Sequence, residues 1–206
     1  ARYLVTNAQF EAFVTAADGY GEDRWWVGLT EPVRELGRGE WAEGNHPRET
    51  VSWYEAMAFC RWLSARTGAR VSLPTEWQWE RAARGRNGRA YPWGDEYEAG
   101  RANVDETGDK HGQHHLERTS AVGLYPEGAS EDGVLDLAGN VWEWCLNEYE
   151  KPDKIQASGT KPRVMRGGSW LGVPQNARAV YRYYLNLPYS RYNDVGFRVV
   201  RESPIR

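Results

Sequence analysis

The sequence predicts an α+β fold with few helices, short strands and much irregular loop. Three observations carry this. Only three segments combine helical spacing of apolar residues with a capping signal. Strand-like runs are short, at Val71-Ser72-Leu73, Arg163 to Arg166 and Gly196-Phe197-Arg198-Val199-Val200. The chain of 206 residues also holds 11 Trp, 12 Tyr and 22 Gly against 4 Phe, a composition suited to large rings bridging glycine-turned loops.

Taken in order, Thr6 caps a helix with Phe10, Phe13, Val14 and Ala17 on its apolar face, and Gly19 stops it. Residues 20–50 carry Trp25, Trp26, Trp41 and Pro47 without a period and read as a long ordered loop. Ser52-Trp53-Tyr54-Glu55 is a capping box opening a second helix, with Ala56, Phe59, Cys60 and Leu63 on one face and Gly68 at its end. Val71 to Leu73 is a short strand. Thr75 caps a third helix through Gln78, ending near Gly85. Gly85 to Gly133 is rich in glycine, charge and turn residues. The run Val134 to Trp144 is compact and apolar, with acids at fixed places. Arg163–Arg166 is a strand that turns at Gly167-Gly168, and 196–200 is the last strand. There is no repeat and no internal linker, so residues 1–206 read as one domain, large enough to bury a core.

The formal net charge of −3 argues against general nucleic-acid binding. No apolar run reaches the roughly 18 residues of a membrane span, and no signal peptide is visible. Cys60 and Cys145 have no partners in a disulfide framework or zinc signature, although the two could pair. A reduced, cytoplasmic chain is the simpler expectation. The sequence starts at Ala1 within a patterned segment, so it is expected to be the C-terminal part of a longer protein, fused to further domains.

Seven segments, in one order along nearly the whole chain, resemble the formylglycine-generating-enzyme (sulfatase-modifying factor) family. They are Val5 to Phe10, Val51 to Ala56, Leu73 to Gly85, Tyr91-Pro92-Trp93-Gly94, Gly139-Asn140-Val141-Trp142-Glu143-Trp144, Arg166-Gly167-Gly168-Ser169-Trp170 and Gly196-Phe197-Arg198. The resemblance implies an elaborated C-type-lectin-like fold. Fold alone does not give function. The family's oxidases hold copper with two cysteines just after the Gly-Gly-Ser-aromatic segment. Here the matching positions are Gly172 and Ala177, neither of which has a thiolate to bind copper or exchange electrons. No copper and no cysteine-dependent oxidation are therefore expected. Ser169 remains, in a tight turn where a small hydroxyl is structurally useful. A second branch, the sulfoxide synthases, takes iron ligands from a separate helical domain that is missing here. His111, His114 and His115 lie in a Gly- and charge-rich loop and read as solvated.

The third branch fits best. Arg163 to Val200 resembles the variable region of proteins diversified by retroelements, in which the C-terminal part of this fold carries a varied surface. Trp170, Leu171, Gln175, Asn176, Tyr181, Tyr183, Tyr184, Asn186, Tyr189, Tyr192, Asn193 and Asp194 are the candidate ligand-binding residues, set between fixed-looking points. The composition agrees independently. Tyrosine gives large, rigid, amphipathic contact at small entropic cost, and Asn and Ser give adaptable hydrogen bonds. Five tyrosines from Tyr181 to Tyr192 are hard to bury together, since each hydroxyl needs a partner. The competing reading packs two or three of them on the core. Arg178, Arg182, Arg191 and Arg198 are expected to brace the segment through acids such as Glu143 or Asp194.

The resemblance also implies structural calcium, held by the Asp136 side chain, the Gly139 and Val141 carbonyls and the Glu143 carboxylate, a hard oxygen set. A second family site matches Asn103 and the Val104 carbonyl, with no clear acidic partner. The expected function is a non-catalytic ligand-binding domain with a Tyr-rich, diversified surface and a protein or other macromolecule as ligand. The alternatives are an enzyme-type member of unnamed chemistry and a purely structural accessory domain. An exposed tyrosine cluster favours the first; a deep polar pocket near Ser169 favours the second.

Overall fold

The computed structural model describes residues 1–30, 34–108, 110–184 and 187–201. It has the expected α+β character, and its three α-helices are those the caps mark. They are α1 (Asn7–Thr15), α2 (Trp53–Thr67) and α3 (Glu76–Arg84). Thr6, Ser52 and Thr75 each accept from the backbone N–H three residues on, and Gln9, Glu55 and Gln78 return the bond. Gly68 ends α2 in the left-handed region, at φ 65°. α1 stops at Thr15, before the predicted Gly19, because the backbone turns extended at Ala16.

The strands are β1 (Val71–Ser72), β2 (Trp142–Glu148), β3 (Arg163–Arg166), β4 (Val195–Gly196) and β5 (Val200–Arg201). β2 is the centre of a three-stranded sheet. It pairs antiparallel with β3, Glu143 opposite Arg166, and parallel with β4, Trp142 opposite Val195. β5 pairs with β1, Val71 opposite Arg201. The single final strand expected over 196–200 is thus two short strands in different sheets. Between them Phe197 is fully buried and Arg198 turns inward to an ion pair, so this stretch leaves one sheet and joins the other.

The main core lies where α1 and α2 meet the sheet. Phe10, Phe13, Phe59 and Phe197 interlock, with Phe10 stacked on Phe59 at 5.7 Å and Phe197 edge-on to Phe59 at 5.5 Å. The tryptophans pin irregular backbone as the composition suggested. Trp53 donates to the Cys145 carbonyl at 2.9 Å, Trp144 to that of Val51 at 3.0 Å and Trp25 to that of Asp18 at 2.7 Å. Each indole buries a large ring and satisfies a loop carbonyl with its one donor. Cys60 and Cys145 are unpaired and fully buried, and burial pushes both thiols up. No helix among the described residues is long and apolar enough to cross a membrane.

Candidate functional site

The candidate segment leaves β3 at Gly167-Gly168, both at positive φ. A Cβ on Gly168 would come within 3.0 Å of the Ala177 backbone, so this turn needs glycine. The chain then crosses the end of the sheet to β4. Its backbone is pinned at many points. Tyr183 exchanges both backbone hydrogen bonds with Met165, at 3.0 and 3.3 Å. The Tyr181 carbonyl accepts from buried Arg166 at 2.9 Å. The Pro188 and Tyr192 carbonyls accept from the Trp53 and Thr50 amides at the start of α2, each at 2.9 Å, and Ala179 donates to the Ala90 carbonyl at 2.8 Å.

With the backbone so held, most of the large side chains turn outward. Tyr181, Tyr184, Tyr189 and Tyr192 are 37%, 53%, 43% and 50% exposed, and Leu171 is exposed as well. Tyr183 differs. It is half-buried and stacks on Trp142, centroids 4.9 Å apart, so the core takes one of the five tyrosines. Gln175 and Asn176 are half-buried. Gln175 meets His111 at 3.0 Å, and Asn176 accepts from the Val173 amide at 3.3 Å. Asn186 lies outside the described residues.

Three of the candidate residues serve the frame instead of an exposed face. Trp170 is buried, with Trp41 edge-on to it at 5.3 Å and its indole donating to the Asn193 carbonyl. Asn193 donates to Glu40 at 2.5 Å. Asp194 accepts from Ser169 at 2.9 Å, and burial raises its carboxyl above the ordinary range. For Trp170 and Asn193 the cause is the segment around Glu40 and Trp41, which folds over this corner. Sequence gave no signal for that contact beyond the unplaced Trp41.

Arginine bracing is present, through the expected Arg198–Glu143 pair and through two acids the sequence did not single out as partners. Arg198 grips Glu143 with two bonds of 2.5 and 2.8 Å, and both side chains are buried. Arg182 grips Glu76 at 2.7 and 3.1 Å, and Arg191 meets Glu55 at 2.9 Å. Arg178 is exposed, and Asp194 is held by Ser169 rather than by an arginine. Glu55 serves three partners: the Ser52 amide in its capping box, Arg191 and the Tyr20 hydroxyl.

The positions matched to the copper-binding cysteines are filled differently. Ala177 is fully buried in a cluster with Ala102, Val104 and Ala138, packed under Gly168. Gly172 closes a turn on the Ser169 carbonyl and accepts from the Asp105 amide. Ser169 is buried, with its hydroxyl used on Asp194.

Of the calcium set Asp136, Gly139, Val141 and Glu143, the two acids have partners within the protein. Both Glu143 oxygens are taken by Arg198. The same guanidinium also donates to the Leu135 and Asp136 carbonyls, each at 3.0 Å, so the positive charge there is the protein's own. Asp136 accepts from the Gly123 amide at 2.7 Å, and burial pushes its carboxyl up to about 6. At the second position Asn103 donates to the Arg118 carbonyl, and its carbonyl oxygen is buried without a donor. Glu106 is fully buried. One of its oxygens accepts from Tyr97 and Gly100, and the other has no donor. Val104 is buried beside them in sequence. His111 faces Gln175, and His115 lies 3.6 Å from Asp105. No three His, Cys, Asp or Glu side chains among the described residues converge as a metal centre.

Comparison with known proteins adds the following. The model of the sulfatase-modifying factor enzyme 1-like domain matches residues 1–203. An inactive C-alpha-formylglycine-generating enzyme 2 from Bos taurus is 36% identical over 84% of this chain and 58% of its own length. A hercynine oxygenase from Mycobacterium tuberculosis is 32% identical over 96% of this chain and 51% of its own length. The chain thus spans about half the length of these curated relatives. Among solved structures, PvdO from Pseudomonas aeruginosa superposes with a TM-score of 0.73 at 26% identity, over 98% of this chain and 79% of that one. Treponema denticola variable protein 1 gives 0.69 at 23% identity, over 95% and 81%, and shares the fold.

Proposed function

The chain belongs to the sulfatase-modifying factor enzyme 1-like family, and on that footing we propose that it is a non-catalytic member that binds a macromolecular ligand, most simply a protein, through a Tyr-rich surface. One observation carries the proposal: between β3 and β4 the backbone is pinned while Tyr181, Tyr184, Tyr189 and Tyr192 remain substantially exposed. A face of this kind has the rigid aromatic anchors of binding paratopes. Its exposed tyrosines can be exchanged with little loss to the frame, because the bonds that hold the segment come from the main chain and from Arg182 and Arg191. The absence of thiols at Gly172 and Ala177, and the use of Ser169 within the frame, support a non-catalytic role. The named relatives include both an inactive family member and an oxygenase, so sequence likeness alone does not choose between these roles.

Diversification by a retroelement is part of the proposal. Sequencing the coding segment for residues 163–200 across a population, together with its DNA neighbourhood, tests it. A near-copy differing mainly at adenines is expected. Variation should fall on exposed positions such as Leu171, Tyr184, Tyr189 and Tyr192 and spare Trp142, Gly168 and Phe197. Variation spread evenly over exposed and buried codons, with no such copy, would count against diversification.

A further inference from the structure

Five buried or half-buried arginines of the frame have a carboxylate or two carbonyls as partners within the protein, although the Nε atoms of Arg163 and Arg166 lack one among the described residues. Arg166 meets Glu80, Arg182 meets Glu76, Arg191 meets Glu55 and Arg198 meets Glu143. Arg163 lies over Trp53 and donates to the Leu146 and Ser158 carbonyls. Arg48 is different. It is 9% exposed and lies over the Phe10 ring, 4.8 Å from its centroid. Its hydrogen-bond acceptor among the described residues is the Gly37 carbonyl, taken by one terminal nitrogen. Its Nε is buried without a partner. No carboxylate among the described residues lies within ion-pair distance, although Glu49 is its neighbour in sequence. Glu49 is spent on the loop instead, accepting from the Glu40 amide at 2.5 Å, from the Trp41 amide and from the Thr50 hydroxyl.

Arg48 lines an open pocket of 540 Å³, within the roughly 300–1,000 Å³ typical of small-molecule sites. Arg38 adds a second cation, Glu11 contributes one acid, and Trp41, Leu36 and Ala8 supply apolar wall. Glu55, Glu49 and Glu11 act on Arg48 only from beyond ion-pair distance, and a carboxylate ligand would offer its guanidinium two matched acceptors at contact. We propose that this pocket binds a small organic carboxylate, with its anionic end at Arg48 and its apolar body against Trp41 and Leu36. The site is separate from the tyrosine surface, and its test does not depend on that reading.

Benzoate, its neutral isostere benzamide and inorganic phosphate are the probes, each titrated at millimolar concentration and followed by the backbone amide shifts of Gly37, Gly39 and Gly44. Benzoate should give saturable shifts at these glycines. Benzamide should bind about ten-fold more weakly or worse, since it forfeits the charge-assisted bonds, and phosphate should bind less than benzoate. Arg48→Met retains packing on Phe10 and should lose the benzoate response. Ala8→Phe, at an exposed position on the pocket wall, leaves Arg48 in place and should lose it too by filling the space. An absent benzoate response, an equal response to benzamide, a response to phosphate alone, or benzoate binding that survives in Ala8→Phe would each overturn the proposal, even where Arg48→Met fails to fold.

Discussion

Asp136 is an acid in a place where ionisation is costly. It sits at φ 56°, a left-handed backbone that favours Asp, Asn and Gly. Its carboxylate has one amide donor and little solvent, and burial raises its pKa to about 6. In the folded state it therefore keeps its proton to higher pH than in the unfolded chain. Between about pH 4 and pH 6 the native state binds more protons, so this group lowers stability as pH rises through that window. The full contribution is of order 3 kcal/mol. Asp136→Asn keeps the backbone geometry and an acceptor for Gly123 while removing the charge. Its melting temperature at pH 7 should exceed that of the parent chain, and the difference should shrink towards pH 4. Repeating the melts with calcium tests the site that the family resemblance implies. A parent chain that calcium stabilises strongly, with Asp136→Asn losing that gain, would place the ion at Asp136. The acids at 136 and 143 were legible in the sequence as a pair with a shared task. Arg198 was legible as a bracing arginine for Glu143, whereas its further bonds to the Leu135 and Asp136 carbonyls were not, because 63 and 62 residues separate them from it.

At the scale of the element, helix starts were the most legible feature, since a capping box is written in adjacent residues. Thr75→Ala should cost about 1 kcal/mol, the usual worth of a cap. Ser52→Ala should cost roughly twice as much, because Ser52 is fully buried and its box shares Glu55 with Arg191 and Tyr20. Urea unfolding of the two variants measures this, and equal losses would show that Glu55 does not couple the helix start to the tyrosine segment. The strands were less legible. β2 is buried on both faces through Trp142 to Cys145, so it lacks the alternation that marks a half-exposed strand. Its buried Glu143 also breaks the apolar run. The end of the chain read as one strand because Gly196 to Val200 has continuous β-propensity. It divides because pairing with β2 and then with β1 demands a change of sheet.

For the whole molecule, the sequence showed the family, the irregular character and the stretch that bears the tyrosines. It could not show how the segment around Glu40 and Trp41 folds onto Trp170 and Asn193, since no local pattern encodes such a contact. That fold-over moves Trp170 and Asn193 into the frame, Ser169 holds Asp194 there, and four tyrosines are left outside. The central claim is that the frame does not depend on those four. Thermal and urea unfolding of the chain with Tyr181, Tyr184, Tyr189 and Tyr192 all replaced by Ser, beside a Phe197→Ala variant, tests it most directly. Exposed substitutions cost within about 0.5 kcal/mol each, whereas emptying the fully buried Phe197 site should cost roughly 3–5 kcal/mol. The account predicts that the quadruple Ser variant remains folded and loses less stability than Phe197→Ala alone. A quadruple variant that unfolds as readily as Phe197→Ala would mean that the tyrosines hold the fold together, contradicting the claim that they form an exchangeable binding surface.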